Sequence, residues 1–252
     1  MSDSITLQTQ GQVTILTIDR PKKRNAITQE MYGAMADALK AYEVTDEQRA
    51  FVITGAEDYF TAGNDLQDFS MADHTADLPP VARFLEAIST CTKPVIAAVN
   101  GPAIGIGLTM LLHCDLVYAA DSATFTAPFV KLALVPEAAS SMLLSASVGM
   151  AVANDILLAG RTLTAGEAHD YGLISRVFTD ADLQGGVAEI AAHVAASAPE
   201  AIKFSKSLIR HQRDQVAAQM QAESELFIGQ LKSPEFSEVV TAMMQKRTPK
   251  FS

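Results

Sequence analysis

Apolar positions along the chain switch between two periods, and the switches mark the elements. Ile5 to Thr9 and Val13 to Ile18 are β-rich runs across Gln10-Gly11, which predicts a hairpin. Thr28 then caps a helix in which Met31, Met35, Leu39 and Tyr42 recur at helical spacing. Phe51 to Thr54 predicts another strand. Pro79-Pro80 opens a helix with Val81, Phe84, Leu85 and Ile88 on one face, Pro94 ends it, and Val95 to Val99 is a short buried strand. Asn100 to Gly107 is glycine-rich and leads into the apolar run Leu108 to Leu112, expected as a buried helix, followed by a strand over Asp115 to Ala119. From Glu137 onward the pattern is mainly helical. Thr164 and Glu167 form a capping box, Gly172 suits a C-terminal cap, and Ser233-Pro234 starts the last helix. The order predicts an α/β core over residues 1–195 and a helical region over 196–252, with no repeat or long linker between them.

Composition narrows the classes. The 252 residues are 48% apolar, enough for a sizeable core. No run of 18 apolar residues and no signal-peptide order occurs, so a soluble, cytoplasmic protein is expected. Cys91 and Cys114 sit in apolar surroundings without metal-ligand spacing, which predicts buried free thiols. Nineteen basic against 29 acidic residues give a net charge of −10, which argues against general nucleic-acid or anionic-membrane binding. An anionic ligand then needs a local patch, and Arg20, Lys22, Lys23 and Arg24 supply one, unless they are only a solvated turn.

Two loops run from a strand to an expected helix start: Ala62-Gly63-Asn64-Asp65-Leu66 and Gly101-Pro102-Ala103-Ile104-Gly105-Ile106-Gly107. First-turn N–H groups lack intrahelical partners and favour negative charge. If the two loops face one cleft, their amides make an oxyanion hole; losing one donor from such a hole costs on the order of 3 kcal/mol. The alternative is that the glycines serve only tight turns and close packing. Glu137 follows Leu132 to Pro136 and precedes the small residues Ala138 to Ser141. It either complements a helix dipole or, losing solvation among apolar neighbours, becomes a general base. His113 and Asp115 around Cys114 read as core or turn residues. The other histidines, His74 among them, have no metal-ligating spacing, and no metal site is expected. No GxSxG, HExxH or Walker loop is present.

Arg20-Pro21-Lys22 with Asn25-Ala26, Phe60 to Leu66, Lys93 to Gly101 and Cys114-Asp115, taken jointly and in this order, resemble the crotonase (enoyl-CoA hydratase/isomerase) superfamily over roughly residues 5–252. The resemblance implies a crotonase-like α/β fold, a spiral of ββα units closed by a C-terminal helical region that takes part in trimerisation. It implies an acyl-CoA thioester substrate, no separate cofactor, and a homotrimer or a hexamer built as a dimer of trimers. Carried over by motif, the backbone N–H groups of Asn64 and Ile106 are the oxyanion donors. Lys22, Arg24 and Ala26 meet the coenzyme A portion. Ala62, Gly63, Asn64, Asp65 and Leu66 of the first loop and Ile106 of the second are implied substrate and coenzyme A contacts, and Phe129 and Leu132, with Met142 and Leu143, are candidates for the acyl tunnel or for ordinary core. Hydratases of the family carry two glutamates, and Thr109 and Phe129 stand at those places here. Leu132 to Glu137 instead resembles the segment bearing the single catalytic glutamate of Δ3,Δ2-enoyl-CoA isomerases. The expected activity is therefore a double-bond shift from C3 to C2 with Glu137 as the base. Hydration or another crotonase reaction is the alternative, and acyl-CoA binding without turnover a third.

Overall fold

The computed structural model describes residues 4–65, 67–68 and 79–251, so Leu66 and His74 lie outside the described residues. Among them, six strands form one sheet in the order β1 (Ile5–Gln10), β2 (Val13–Ile18), β3 (Ala50–Gly55), β4 (Val95–Val99), β6 (Leu116–Ala120) and β9 (Arg176–Phe178). β1 and β2 pair antiparallel as the expected hairpin, with Gly11 at φ 59° in its turn; the remaining pairs are parallel. A smaller sheet joins β5 (Ala103–Ile104), β7 (Thr124–Thr126) and β8 (Leu163–Thr164).

The central strands are buried on both faces, which is why they read as continuous apolar runs. Phe51, Ile53, Val95, Ala97, Val99 and Val117 point to one side. There they meet helix α1 (Gln29–Val44) through Met31, Met35, Leu39 and Tyr42, and helix α2 (Pro80–Thr90) through Phe84 and Ile88. Ala50, Val52, Ile96, Ala98 and Tyr118 point to the other side, where helix α7 (Leu183–Ala196) lays down Leu183, Val187, Ala191 and Ala195, one per turn. Each large apolar side chain so buried contributes about 1.5–3 kcal/mol. Thr28 caps α1 by accepting from the Met31 N–H, and buried Lys93 closes its other end by donating to the carbonyls of Tyr42, Thr45 and Gln48, each at 2.8 Å.

Three local expectations change. The apolar run after the second loop is not one helix but a short α-turn, α3 (Ile106–Thr109), tightened into a 3-10 turn over Met110–His113. Strand β6 starts one residue late because Asp115 is taken up elsewhere. Its carboxylate accepts from the Val95 N–H at 2.8 Å and pairs with Lys206 and Arg210 at 2.7 and 3.0 Å. The mainly helical second half also hides β8 and β9, of two and three residues, too short to show a period. Helices α4 (Ser140–Val148) and α5 (Met150–Leu157) precede them. The capping box of Thr164 and Glu167 opens α6 (Ala165–Asp170), and Gly172 at φ 83° closes it. Helices α8 (Pro199–Ile209), α9 (Arg213–Leu231) and α10 (Pro234–Met244) follow α7. Cys91 and Cys114 are buried free thiols. Among the described residues no helix is long and apolar enough to cross a membrane.

Candidate active site

The two glycine-rich loops are stitched edge to edge. The Thr61 N–H donates to the Pro102 carbonyl at 3.1 Å and the Ile104 N–H to the Thr61 carbonyl at 3.0 Å. Gly63 takes φ 90°, and a Cβ there would lie 2.8 Å from the Ile104 oxygen, so both conformation and contact demand glycine. Gly105, at φ 58°, turns the chain into α3.

Counting the peptide donors of these loops isolates a few. In the first loop, the Ala62 N–H donates to the Arg24 carbonyl, the Gly63 N–H to Thr61 Oγ1 and the Asp65 N–H to the Ile27 carbonyl. The Asn64 N–H has no acceptor among the described residues. In the second, the Gly105 N–H donates to the Thr126 carbonyl, and those of Leu108 and Thr109 to the Gly105 carbonyl, leaving Ile106 and Gly107 without acceptors among the described residues. Buried peptide donors are nearly always paired, so open ones in adjoining loops suit an anionic oxygen.

Side chains hold this frame. Buried Asn25 donates to the carbonyls of Ala56 and Tyr59 and accepts from the Arg20 N–H, while Thr61 Oγ1 donates to the Asn25 carbonyl at 2.6 Å. The sequence gives no weight to the Asn64 side chain, yet its Oδ1 accepts a short hydrogen bond from the hydroxyl of fully buried Tyr32 on α1. Burial raises the Tyr32 pKa well above the ordinary phenol, with Glu137 and Asp68 adding to it, so the hydroxyl stays protonated and donates.

Glu137 lies outside any helix; α4 begins only at Ser140. The helix-dipole alternative for this residue therefore does not apply. Its carboxyl is set deep in the protein while the residue retains some accessible surface. Thr109, the last residue of α3, donates its hydroxyl to Oε1 at 2.5 Å, and Oε2 accepts no hydrogen bond among the described residues. Burial is the main influence on this carboxyl and lifts its pKa to about 7. The Thr109 hydrogen bond opposes the rise, and the charge of Glu223 adds to it. The same three-residue helical step thus connects the Ile106 amide to the partner of Glu137.

The turn after Glu137 is strained. Ala138 and Ala139 both lie in the left-handed region, at φ 61° and 55°, which costs roughly 1–2 kcal/mol apiece for residues with a Cβ. Three contacts hold it. His113 Nε2 donates to the Ala138 carbonyl at 2.8 Å, the Ser140 N–H to the Glu137 carbonyl at 3.1 Å, and the Ser141 N–H to Glu223 Oε1 at 3.0 Å. Burial lowers His113 to about 4, leaving a neutral imidazole at physiological pH.

Other expected residues fall around this frame. Lys22 and Arg24 are exposed beside the first loop, Arg24 lying 5.6 Å over the Tyr59 ring, and Ala26 is partly buried next to Ile27, which bridges to Asn64. Arg20 leaves the basic patch: it pairs at 2.7 Å with Asp65, whose other oxygen accepts from the Gln67 and Asp68 N–H groups. Phe129 is buried and Leu132 partly so, on the segment leading to Glu137. His113 and Asp115 serve different partners. Among the described residues no three His, Cys, Asp or Glu side chains are grouped to hold a metal ion.

Sequence reasoning passed over Tyr32 and Glu223 and treated Thr109 only as a missing carboxylate. One signal for Glu223 exists: it stands one helical turn before Phe227, the other buried residue of α9.

The chain is 39% identical over 215 residues to enoyl-CoA delta isomerase 2 of Rattus norvegicus, a match covering 83% of this chain but 55% of that protein. The chain thus spans little more than half of that relative. It is 35% identical to the 2,3-dehydroadipyl-CoA hydratase of Escherichia coli, covering 96% of each. A crystal structure of an enoyl-CoA hydratase/isomerase from Pseudoalteromonas atlantica superimposes with a TM-score of 0.96 at 50% identity, covering 99% of this chain and all of that one. The match to the enoyl-CoA hydratase/isomerase family runs over residues 8–252, and the chain is a member of that family, with its crotonase fold.

Proposed function

We propose that this protein is a Δ3,Δ2-enoyl-CoA isomerase in which Glu137 carries a proton from C2 to C4 of a bound acyl thioester. The observation that carries the proposal is the state of Glu137: one carboxyl, held through one oxygen by Thr109, with the other open and a pKa near 7. A base is most effective when its pKa lies near the working pH. The ionised carboxylate removes a C2 proton, and the electron pair moves onto the thioester oxygen as a dienolate. The N–H groups of Asn64 and Ile106, open among the described residues, receive that oxygen. The proton then returns from the same carboxyl to C4, giving the conjugated 2-enoyl product and restoring the base. No redox or metal step enters. Thr109 and Phe129, in place of two glutamates, favour this single-carboxylate route over hydration, which divides water activation and protonation between two groups.

Lys22 and Arg24 face the diphosphate end of coenzyme A in this proposal, with Ala26, Ala62 and Gly63 along the pantetheine and Phe129 and Leu132 against the acyl chain. The exposed apolar residues Phe204, Leu208 and Ile209 on α8, 65%, 76% and 77% accessible, suit a contact between copies in a homotrimer or hexamer. Supplying 3-hexenoyl-CoA and crotonyl-CoA separately and following the conjugated enoyl absorbance tests the assignment. Absorbance that grows with the first substrate and stays constant with the second is expected. Loss of absorbance with crotonyl-CoA and no gain with 3-hexenoyl-CoA means a hydratase.

A further inference from the structure

The mechanism above leaves one buried carboxylate unused. Glu223 comes from α9, far along the chain from the loops, and is 5% exposed. Its Oε1 accepts from the Ser141 N–H at 3.0 Å and, in a short hydrogen bond, from the Ser141 hydroxyl; Gln219 Nε2, one turn earlier on α9, donates to the same hydroxyl at 2.9 Å. Its Oε2 is buried without a partner among the described residues, as is the hydroxyl of neighbouring Ser140. The N-cap position of α4 is Ala139, which has no side-chain acceptor to offer. Glu223 therefore supplies from another helix the acceptor that the first turn of α4 lacks, and an anion at a helix N-terminus is favoured there. What it fastens is the end of the strained Ala138-Ala139 turn, whose other end carries Glu137.

We infer that Glu223 is a positioning residue for Glu137: α9 clamps the left-handed turn that aims the Glu137 carboxyl and sets a second carboxylate behind it. Proton transfer at Glu137 then depends on the C-terminal helices being in place over the core. The inference rests on Glu137 as the reactive base for its kinetic consequence, though not for its electrostatic one. Among the described residues, the titratable groups around this turn are Tyr32 on α1, His113 after α3 and Glu223 on α9. Tyr32 and His113 are neutral at physiological pH for the reasons of burial given above, so Glu223 is the carboxylate that acts on Glu137 through charge.

Glu223→Gln separates clamp from charge, because the amide oxygen still accepts from the Ser141 N–H. The titration of the Glu137 carboxyl is followed by 13C NMR in protein labelled at glutamate, with Glu137→Gln identifying the signal, alongside thermal melts and the pH profile of kcat/KM. Expected is a wild-type titration near pH 7, displaced downward in Glu223→Gln with little change in Tm. The rising limb of kcat/KM should move with it. Glu223→Ala, which loses the clamp as well, should lower kcat tenfold or more with KM near wild type. An unmoved Glu137 titration in Glu223→Gln together with a wild-type kcat in Glu223→Ala would overturn the inference. If the titration moves but Glu137→Gln keeps full turnover, the positioning stands and it is the base assignment that fails.

Discussion

The amides of Asn64 and Ile106, open among the described residues, and the carboxyl of Glu137 are linked through Tyr32 and Thr109, but the chain builds them in different ways. The amides come from loops whose shape is fixed by their own residues and each other: Gly63 and Gly105 supply the backbone angles, and the Thr61–Ala103 bridge joins the two. Glu137 is aimed by groups from two distant stretches, Thr109 and His113 on the run after the second loop and Glu223 on α9, acting on a turn that its own alanines disfavour. A backbone donor is thus a property of a short motif, whereas a tuned carboxyl is a property of the whole fold.

Breaking the carboxyl half should have the largest effect. Glu137→Gln is expected to lower kcat by about 1,000-fold, within the range for loss of a general base, while acyl-CoA affinity measured by titration changes little. Breaking the backbone half should cost less. Gly63→Ala drives a Cβ against the Ile104 oxygen and shifts the Asn64 amide, with an expected loss of about 100-fold in kcat. A stability measurement sharpens the contrast, because only the carboxyl half titrates. Glu137 holds its proton more tightly in the folded chain, about 7 against an ordinary 4.5. The folded state therefore binds more protons between those values, and wild-type stability falls as pH rises from 4.5 through 7. Glu137→Gln, neutral throughout, should be more stable at pH 8 by on the order of 2 kcal/mol, an equilibrium factor of about 30, allowing for partial solvent screening. Urea unfolding should show that gap closing below pH 4.5. Thr109→Val touches the link between the halves. It removes the hydrogen bond that lowers the Glu137 pKa, so the rising limb of kcat/KM moves above 7 and the rate at pH 7 drops about tenfold.

The same contrast explains what was legible in the sequence. The hairpin, α1, α2, β3 and β4 announce themselves because apolar periods or short apolar runs mark them and the helix start signals, Thr28 and Pro79-Pro80, are local. Gly63, Gly105 and Glu137 stand out by residue type, whereas the missing hydratase glutamates at Thr109 and Phe129 are legible only through the family resemblance. The break of the buried run into α3 and a 3-10 turn was hidden, since Leu108 to Leu112 is apolar but for Thr109 and says nothing about where the helix tightens. So were β8 and β9, held by pairing with β7 and β6 rather than by pattern. Asp65 and Arg20, read as a ligand contact and part of a basic patch, find each other across 45 positions, a pairing that only the folded chain reveals. Glu223 sits in a helix that mixes polar and apolar residues without a clean stripe, where one buried acid looks like its exposed neighbour Glu225.

The central claim is that one carboxyl moves one hydrogen between two carbons. A single turnover with 3-hexenoyl-CoA deuterated at C2 tests it most directly, with the label at C4 of the product read by mass spectrometry. A measurable fraction of the deuterium at C4 is the predicted result. A C4 hydrogen drawn wholly from water, with all of the deuterium abstracted from C2 released to solvent, would contradict it.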